Sequence, residues 1–222
     1  MFGMDDSELA RIGQLTLGGG VMAALAIVAG LLYGAHRRCC QLSEQLGQAQ
    51  AVNESLRRQA LYDGLTGLPN RNLLEDRITS AIARAQREQG AFALLFLDLD
   101  GFKAVNDRHG HAVGDLLLMQ IGGRLSESLR HADTIARIGG DEFVVLTEIV
   151  ACGDIGIIRD KLNQALAAPF QIGADTLRIS ASLGHARFPD DGDDIDALLA
   201  RADQGMYHLK RQRRPLQHYT TQ

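Results

Sequence analysis

The sequence predicts a domain of the α/β (α+β) class: helices alternate with strands around a central mixed sheet, behind an apolar helix and a short linker. Three observations predict it. Ala91 to Asp98 (AFALLFLD) is a continuous apolar run ending in an acid, the pattern of a strand buried on both faces. Flanking segments carry apolar residues at helical spacing, with Leu73, Leu74, Ile78, Ile82 and Ala85 before it and Leu117, Ile121, Leu125 and Leu129 after it. Thr134–Ile138 and Phe143–Leu146 are short β-rich runs joined across Gly139-Gly140-Asp141-Glu142, a hairpin pattern.

Taken in order, residues 1–11 form a short extracytoplasmic N-terminus, from which no extracytoplasmic sensor domain is expected. Ile12 to Ala35 then runs 24 residues without a charge. As a helix it would cover about 36 Å, more than the roughly 30 Å hydrocarbon core, so a single transmembrane helix is expected over 12–35. Asp5, Asp6 and Glu8 precede it, and His36, Arg37 and Arg38 follow. The positive-inside rule places the chain after it in the cytoplasm, which implies a single-pass protein of the inner (cytoplasmic) membrane. A cleaved signal peptide fits worse, because its n-region would be acidic. Ala26, Gly30 and Gly34 fall four apart, a spacing that lets two helices approach.

Residues 36–61 read as a cytoplasmic coiled-coil linker. Leu42, Leu46, Ala49, Asn53, Leu56 and Ala60 recur at spacings of four and three, a heptad seam. Asn53 sits at a core position, where a polar residue fixes register and dimeric state. A single amphipathic helix is the alternative. Beyond it, helices are expected over Asn70–Gln89, His111–Leu129, Ile155–Ala168 and Ile195–Lys210, with a strand over Leu177–Leu183. Residues 62–214 make one domain of ordinary size, and 215–222 a tail.

The composition bounds the function. The 222 residues are 45% hydrophobic and 23% charged, with a net charge of −4 and no tryptophan. An acidic chain without stacking aromatics does not suit nucleic acid. Cys39, Cys40 and Cys152 form no Cys-x-x-Cys or Cys/His cluster, so neither a disulfide framework nor a zinc site is indicated. Chemistry concentrates in the acids. Asp98 and Asp100 stand where the buried strand runs out, and Asp141 and Glu142 at a hairpin tip. If hairpin and strand are neighbours these carboxylates converge, and such hard oxygen ligands suit Mg²⁺. Gly101, Phe102 and Lys103 follow the strand and could offer backbone N–H groups to an anion. Lys210, Arg211, Arg213 and Arg214 form a basic cluster at a helix end.

Arg137 to Phe143 (RIGGDEF) resembles the signature of the GGDEF family of diguanylate cyclases. Four further blocks resemble that family in order and spacing: Asp63–Arg71, Asp98–Lys103 with Asn106-Asp107, Gly110–Asp115, and Ala202–Lys210. The resemblance implies a nucleotidyl-cyclase-like fold with a central, mostly antiparallel sheet flanked by helices. It implies condensation of two GTP into cyclic di-GMP with release of two pyrophosphates, at the interface of a homodimer. It puts Mg²⁺ (or Mn²⁺) on Asp98, the Leu99 carbonyl, Asp141 and Glu142, with Asp141 the base for the attacking 3′-hydroxyl. It assigns guanine to Asn106 and Asp115, and phosphates to the Phe102 and Lys103 backbone and to the Lys210 and Arg214 side chains. Arg213 and Pro215 replace the family's usual Gly and Asn beside Arg214. Arg130 and Asp133 resemble the family's R-x-x-D inhibitory site, implying feedback by the product. A catalytically silent cyclic di-GMP receptor or dimeric scaffold is the alternative.

Overall fold

The computed structural model describes residues 6–149 and 154–213, and side chains from Met22 onward except at 23, 24, 26, 27, 29 and 35. The chain divides into two units, Met1–Leu56 and Arg57–Gln222. A single helix, α1 (Asp6–Leu61), runs where the sequence suggests a membrane span followed by a coiled coil. Among the described residues no helix is long and apolar enough to cross a membrane. Most side chains of 12–35, Ala26 of the small-residue stripe among them, lie outside the described set. Further along α1, Leu42, Leu46, Val52 and Leu56 are exposed in the single chain. Cys39 and Cys40 are free and exposed, and Cys152 lies outside the described residues.

The second unit is built on a four-stranded sheet in the order β2 (Thr134–Gly139), β3 (Glu142–Ile149), β1 (Ala91–Asp100), β6 (Ser180–Phe188). Every pairing in it is antiparallel. The expected mixed sheet is corrected accordingly. Two helices, α3 (Phe102–His109) and α4 (His111–Ser128), lie between β1 and β2. β1 and β2 both run antiparallel to β3, so α3 and α4 form a crossover that returns β2 parallel to β1, and the β2–β3 hairpin then sets β3 between them, which leaves every neighbouring pair antiparallel.

β1 is apolar on both faces because each face has its own core. Ala93, Leu95, Leu97 and Leu99 pack with Leu117, Ile121 and Leu125 of α4 and with Leu162 and Leu166 of α5 (Asp154–Ala167). Phe92, Leu94 and Phe96 pack with Leu74, Ile78 and Ala81 of α2 (Arg71–Glu88) and with Leu198, Ala202 and Met206 of α6 (Ile195–Arg213). Each of the Leu, Ile, Phe and Met side chains contributes about 1.5–3 kcal/mol by leaving water, and the alanines less. Strand alternation then fixes the acids: Asp98 continues the row of Phe92, Leu94 and Phe96 and faces the side of the sheet that α2 and α6 cover.

The predicted strand Leu177–Leu183 is split. β5 (Asp175–Leu177) pairs with β4 (Phe170–Ile172) in a separate two-stranded sheet, and β6 begins only at Ser180. α6 lies close on β6. A Cβ on Gly184 would fall 2.0 Å from the Ala202 carbonyl oxygen and 2.2 Å from the Met206 nitrogen, so only glycine admits the helix backbone. That approach sets the position of Lys210, one turn further along α6.

Candidate active site

The signature residues sit on the turn between β2 and β3. Gly140 has φ +48°, a left-handed conformation that glycine takes without a Cβ penalty. A bulge between Arg137 and Gly139 leads into the turn. The register sets Asp98 of β1 directly opposite Glu142 of β3. The Leu99 amide donates to the Asp141 carbonyl across 3.2 Å. Asp98, Leu99, Asp141 and Glu142 therefore meet at one end of the sheet, as the sequence suggested.

Lys210 joins them from α6, its Nζ donating to Asp98 Oδ1. Asp98 is only 8% exposed. Burial pushes its carboxyl up from the ordinary value, Asp141 and Asp100 add to the rise, and Lys210 opposes it. Burial likewise pushes Glu142 up, helped by Asp98, Asp141 and Asp203 and opposed by Arg71. Asp100, grouped with Asp98 on sequence, is occupied elsewhere: Ser180 Oγ and Ser182 Oγ each donate to it at 2.7 Å.

These donors fit a divalent cation. They are carboxylate and backbone oxygens, the ligands Mg²⁺ and Mn²⁺ take, and the Lys210 ammonium already stands at Asp98 as a positive charge. Among the described residues no group of three or more His, Cys, Asp or Glu side chains encloses an ion by itself. A backbone carbonyl and a ligand's phosphate oxygens would complete the shell.

The phosphate and base residues lie on α3 and α4. Phe102 and Lys103 open α3 right after β1. Their N–H groups precede the first turn's bond, Ala104 to the Gly101 carbonyl at 2.9 Å. The Phe102 side chain is buried in the core, and Lys103 is exposed. Asn106 is half-buried on α3, and Asp115 is exposed just past the first turn of α4, beside Gly114, on which Asn106 rests. Arg214 lies outside the described residues.

Arg130 and Asp133 are not part of this assembly. They form a tight turn ahead of β2, with the Arg130 amide donating to Asp133 Oδ2 at 2.9 Å and Thr147 Oγ1 donating to Asp133 Oδ1 at 2.7 Å. β2 separates this turn from the signature by six residues, about 20 Å at strand rise. Both residues line a small pocket with Glu148, Asp154 and Lys161.

Sequence reasoning missed Arg137. Its guanidinium donates to Asp63 Oδ1 at 2.9 Å and to the Gly140 carbonyl from Nε at 3.0 Å and from a terminal nitrogen at 2.8 Å. Burial works against ionisation of Asp63, but bonds from Thr66 and Arg137 hold its carboxyl below the ordinary value. Arg137 thus ties the Asp63–Thr66 turn to the signature turn. A lone charge within an otherwise apolar strand was the signal available.

A family profile described as diguanylate cyclase, GGDEF domain, matches residues 60–215. The chain belongs to the GGDEF family. The bifunctional diguanylate cyclase/cyclic di-GMP phosphodiesterase MucR of Pseudomonas aeruginosa is 44% identical over 212 residues, 96% of this chain and 30% of that protein. Diguanylate cyclase TpbB of the same organism is 41% identical over 176 residues, 78% of this chain and 40% of that protein. The chain thus spans between about a third and two fifths of the length of these relatives. The solved GGDEF domain of TpbB matches with a TM-score of 0.66 at 40% identity, covering 68% of this chain and 89% of that one. In this GGDEF domain the antiparallel sheet flanked by helices and the acids at its end are those of a nucleotidyl-cyclase-like α+β fold.

Proposed function

We propose that the chain is a diguanylate cyclase that condenses two GTP into cyclic di-GMP and two pyrophosphates. The observation that carries this is the meeting of Asp98, Asp141, Glu142 and Lys210 at one end of the sheet, beside the opening turn of α3. Each 3′-hydroxyl attacks the α-phosphate of the other GTP. A P–O bond to the ribose forms, the bond to pyrophosphate breaks, and Asp141 accepts the hydroxyl proton. Asp98, the Leu99 carbonyl, Asp141 and Glu142 would hold Mg²⁺ or Mn²⁺, which would supply charge to acidify the hydroxyl and neutralise the leaving group. The Phe102 and Lys103 amides and the Lys210 and Arg214 side chains bind phosphate. Asp115 accepts from the guanine N1 and N2 hydrogens, and Asn106 donates to an acceptor of the base. Adenine lacks that donor pair and would leave the acid unpaired.

One domain holds one GTP, so product needs two domains face to face. The heptad seam of 42–60 supplies the homodimer and raises the effective concentration of the half-sites. The uncharged stretch of 12–35, acidic before and basic after, supports a single-pass anchor in the cytoplasmic membrane with the catalytic domain inside. Arg130 and Asp133 bind product phosphate and guanine as a feedback site.

The test incubates the chain with GTP and Mg²⁺ and separates the nucleotides by chromatography, beside Asp141→Ala. Cyclic di-GMP from the wild type alone is expected. The rate per subunit should fall on dilution, and the activity should stay with alkali-washed membranes. A wild type that binds cyclic di-GMP but makes none, even when dimerised by a stronger coiled coil, is a receptor and not an enzyme.

A further inference from the structure

α3 and α4 meet with no spare volume at one point. A Cβ on Gly114 would lie 1.8 Å from Asn106 Oδ1, 3.0 Å from Asn106 Cγ and 3.2 Å from Phe102 Cζ. Gly114 is buried in the first turn of α4, its amide bonded to the Gly110 carbonyl at 3.2 Å. Its backbone is ordinary helix, so the position demands small volume rather than an unusual conformation. The atom resting on it is unusual too: Asn106 Oδ1 is buried and has no hydrogen-bond partner. Leaving a buried acceptor unpaired costs free energy, so this orientation is imposed by its surroundings and is not the carboxamide's own preference. A planar amide with its oxygen against Gly114 turns its NH₂ end away from the helix contact.

We propose that Gly114 is a specificity-determining residue: the side chain it lacks leaves the seat that holds the Asn106 carboxamide in its base-reading orientation. This rests on the guanine role proposed above for Asn106, and extends it to a residue that touches no nucleotide. A methyl group at 114 competes with Oδ1 for one volume. The atom that yields is the end of a two-torsion side chain, not the α4 backbone, so recognition suffers before the fold does. Asp115 keeps its own carboxylate contact, so guanine binding weakens without vanishing.

The test compares binding of non-hydrolysable GTP and ATP analogues, by calorimetry, to the wild-type chain, Gly114→Ala, Asn106→Ala and the double variant. Gly114→Ala should lose about tenfold of the preference for the guanine analogue, the size of one lost hydrogen bond. Asn106→Ala should lose as much, and the double variant no more than either alone, because both act through one carboxamide. Asn106→Gln keeps the amide but is one methylene too long for the seat, so it should lose the preference as well; this arm does not depend on how Gly114→Ala folds. An unchanged guanine preference in Asn106→Gln or in a folded Gly114→Ala overturns the inference alone, as do additive losses in the double variant. A wild type with no preference for guanine overturns the Asn106 role and the inference with it.

Discussion

At the signature tip, Glu142 stands half-buried among Asp98, Asp141 and Asp203, and burial followed by those charges pushes its carboxyl up. A raised carboxyl binds its proton more tightly in the folded chain than in the unfolded one. Its contribution to stability is full below the ordinary glutamate value and is lost as pH rises through the raised value. Ionising the metal-free group as pH rises through that value therefore costs the fold stability. Glu142→Gln should raise the metal-free melting temperature at pH 7 by about 2–4 °C, on the order of 1 kcal/mol for a chain of this size. The gain should shrink as pH falls below the ordinary glutamate value. The same variant should form product at least about 100-fold more slowly. A gain that does not change with pH would show that ionising Glu142 carries no such cost. Asp98, Asp141 and Glu142 were legible in the sequence because they fall at a strand end and a hairpin tip and within motif blocks that resemble the family's in order and spacing. What Asp100 does was not legible, because its partners, Ser180 and Ser182, lie 80 and 82 residues away.

Between elements, Arg137 ties the signature hairpin to the turn before α2. It reaches Asp63 in the turn before α2 and the Gly140 carbonyl in the turn before β3. Arg137→Ala should cost about 1–3 kcal/mol in urea unfolding at neutral pH, since it leaves a partly buried carboxylate without its counter-charge. Arg137→Lys should recover only part of that loss, because an ammonium cannot bridge both acceptors in the guanidinium's planar geometry. The depressed Asp63 carboxyl gives the acid behaviour the opposite sign to that of Glu142. Its stabilisation is present above the ordinary aspartate value and is lost as pH falls through the depressed one. The cost of Arg137→Ala should therefore diminish as pH falls through the depressed Asp63 value; a pH-independent cost would mean that Arg137 acts through Gly140 alone. Most helices and the signature hairpin could be read from periodicity, as α2 and α4 illustrate. The division of Leu177–Leu183 between two sheets could not, because β5 pairs with β4 and β6 with β1, a choice of tertiary partners that no local pattern records.

For the whole molecule, the two ends of β2 hold different chemistry: the signature acids at one, the Arg130–Asp133 turn at the other. Arg130→Ala should relieve inhibition by added cyclic di-GMP at least about tenfold and leave the initial rate near that of the wild type, as measured from progress curves. Coincident inhibition curves would remove the feedback role. The antiparallel order β2-β3-β1-β6 also bears on how accurately the chain must fold. Side chains alternate along β1, so a slip of one residue against β6 would place Leu97 and Leu99 where Asp98 and Asp100 stand, and would drive both acids into the opposite core. Apolar pairs such as Leu97 with Leu183 discriminate little between alignments, but carboxylates turned into an apolar core penalise the slip heavily. The two serine hydroxyls add to that penalty, because they meet Asp100 in the native alignment. Ser180 and Ser182 thus favour the native pairing of strands, while the cost of burying Asp98 and Asp100 in an apolar core penalises the slipped one.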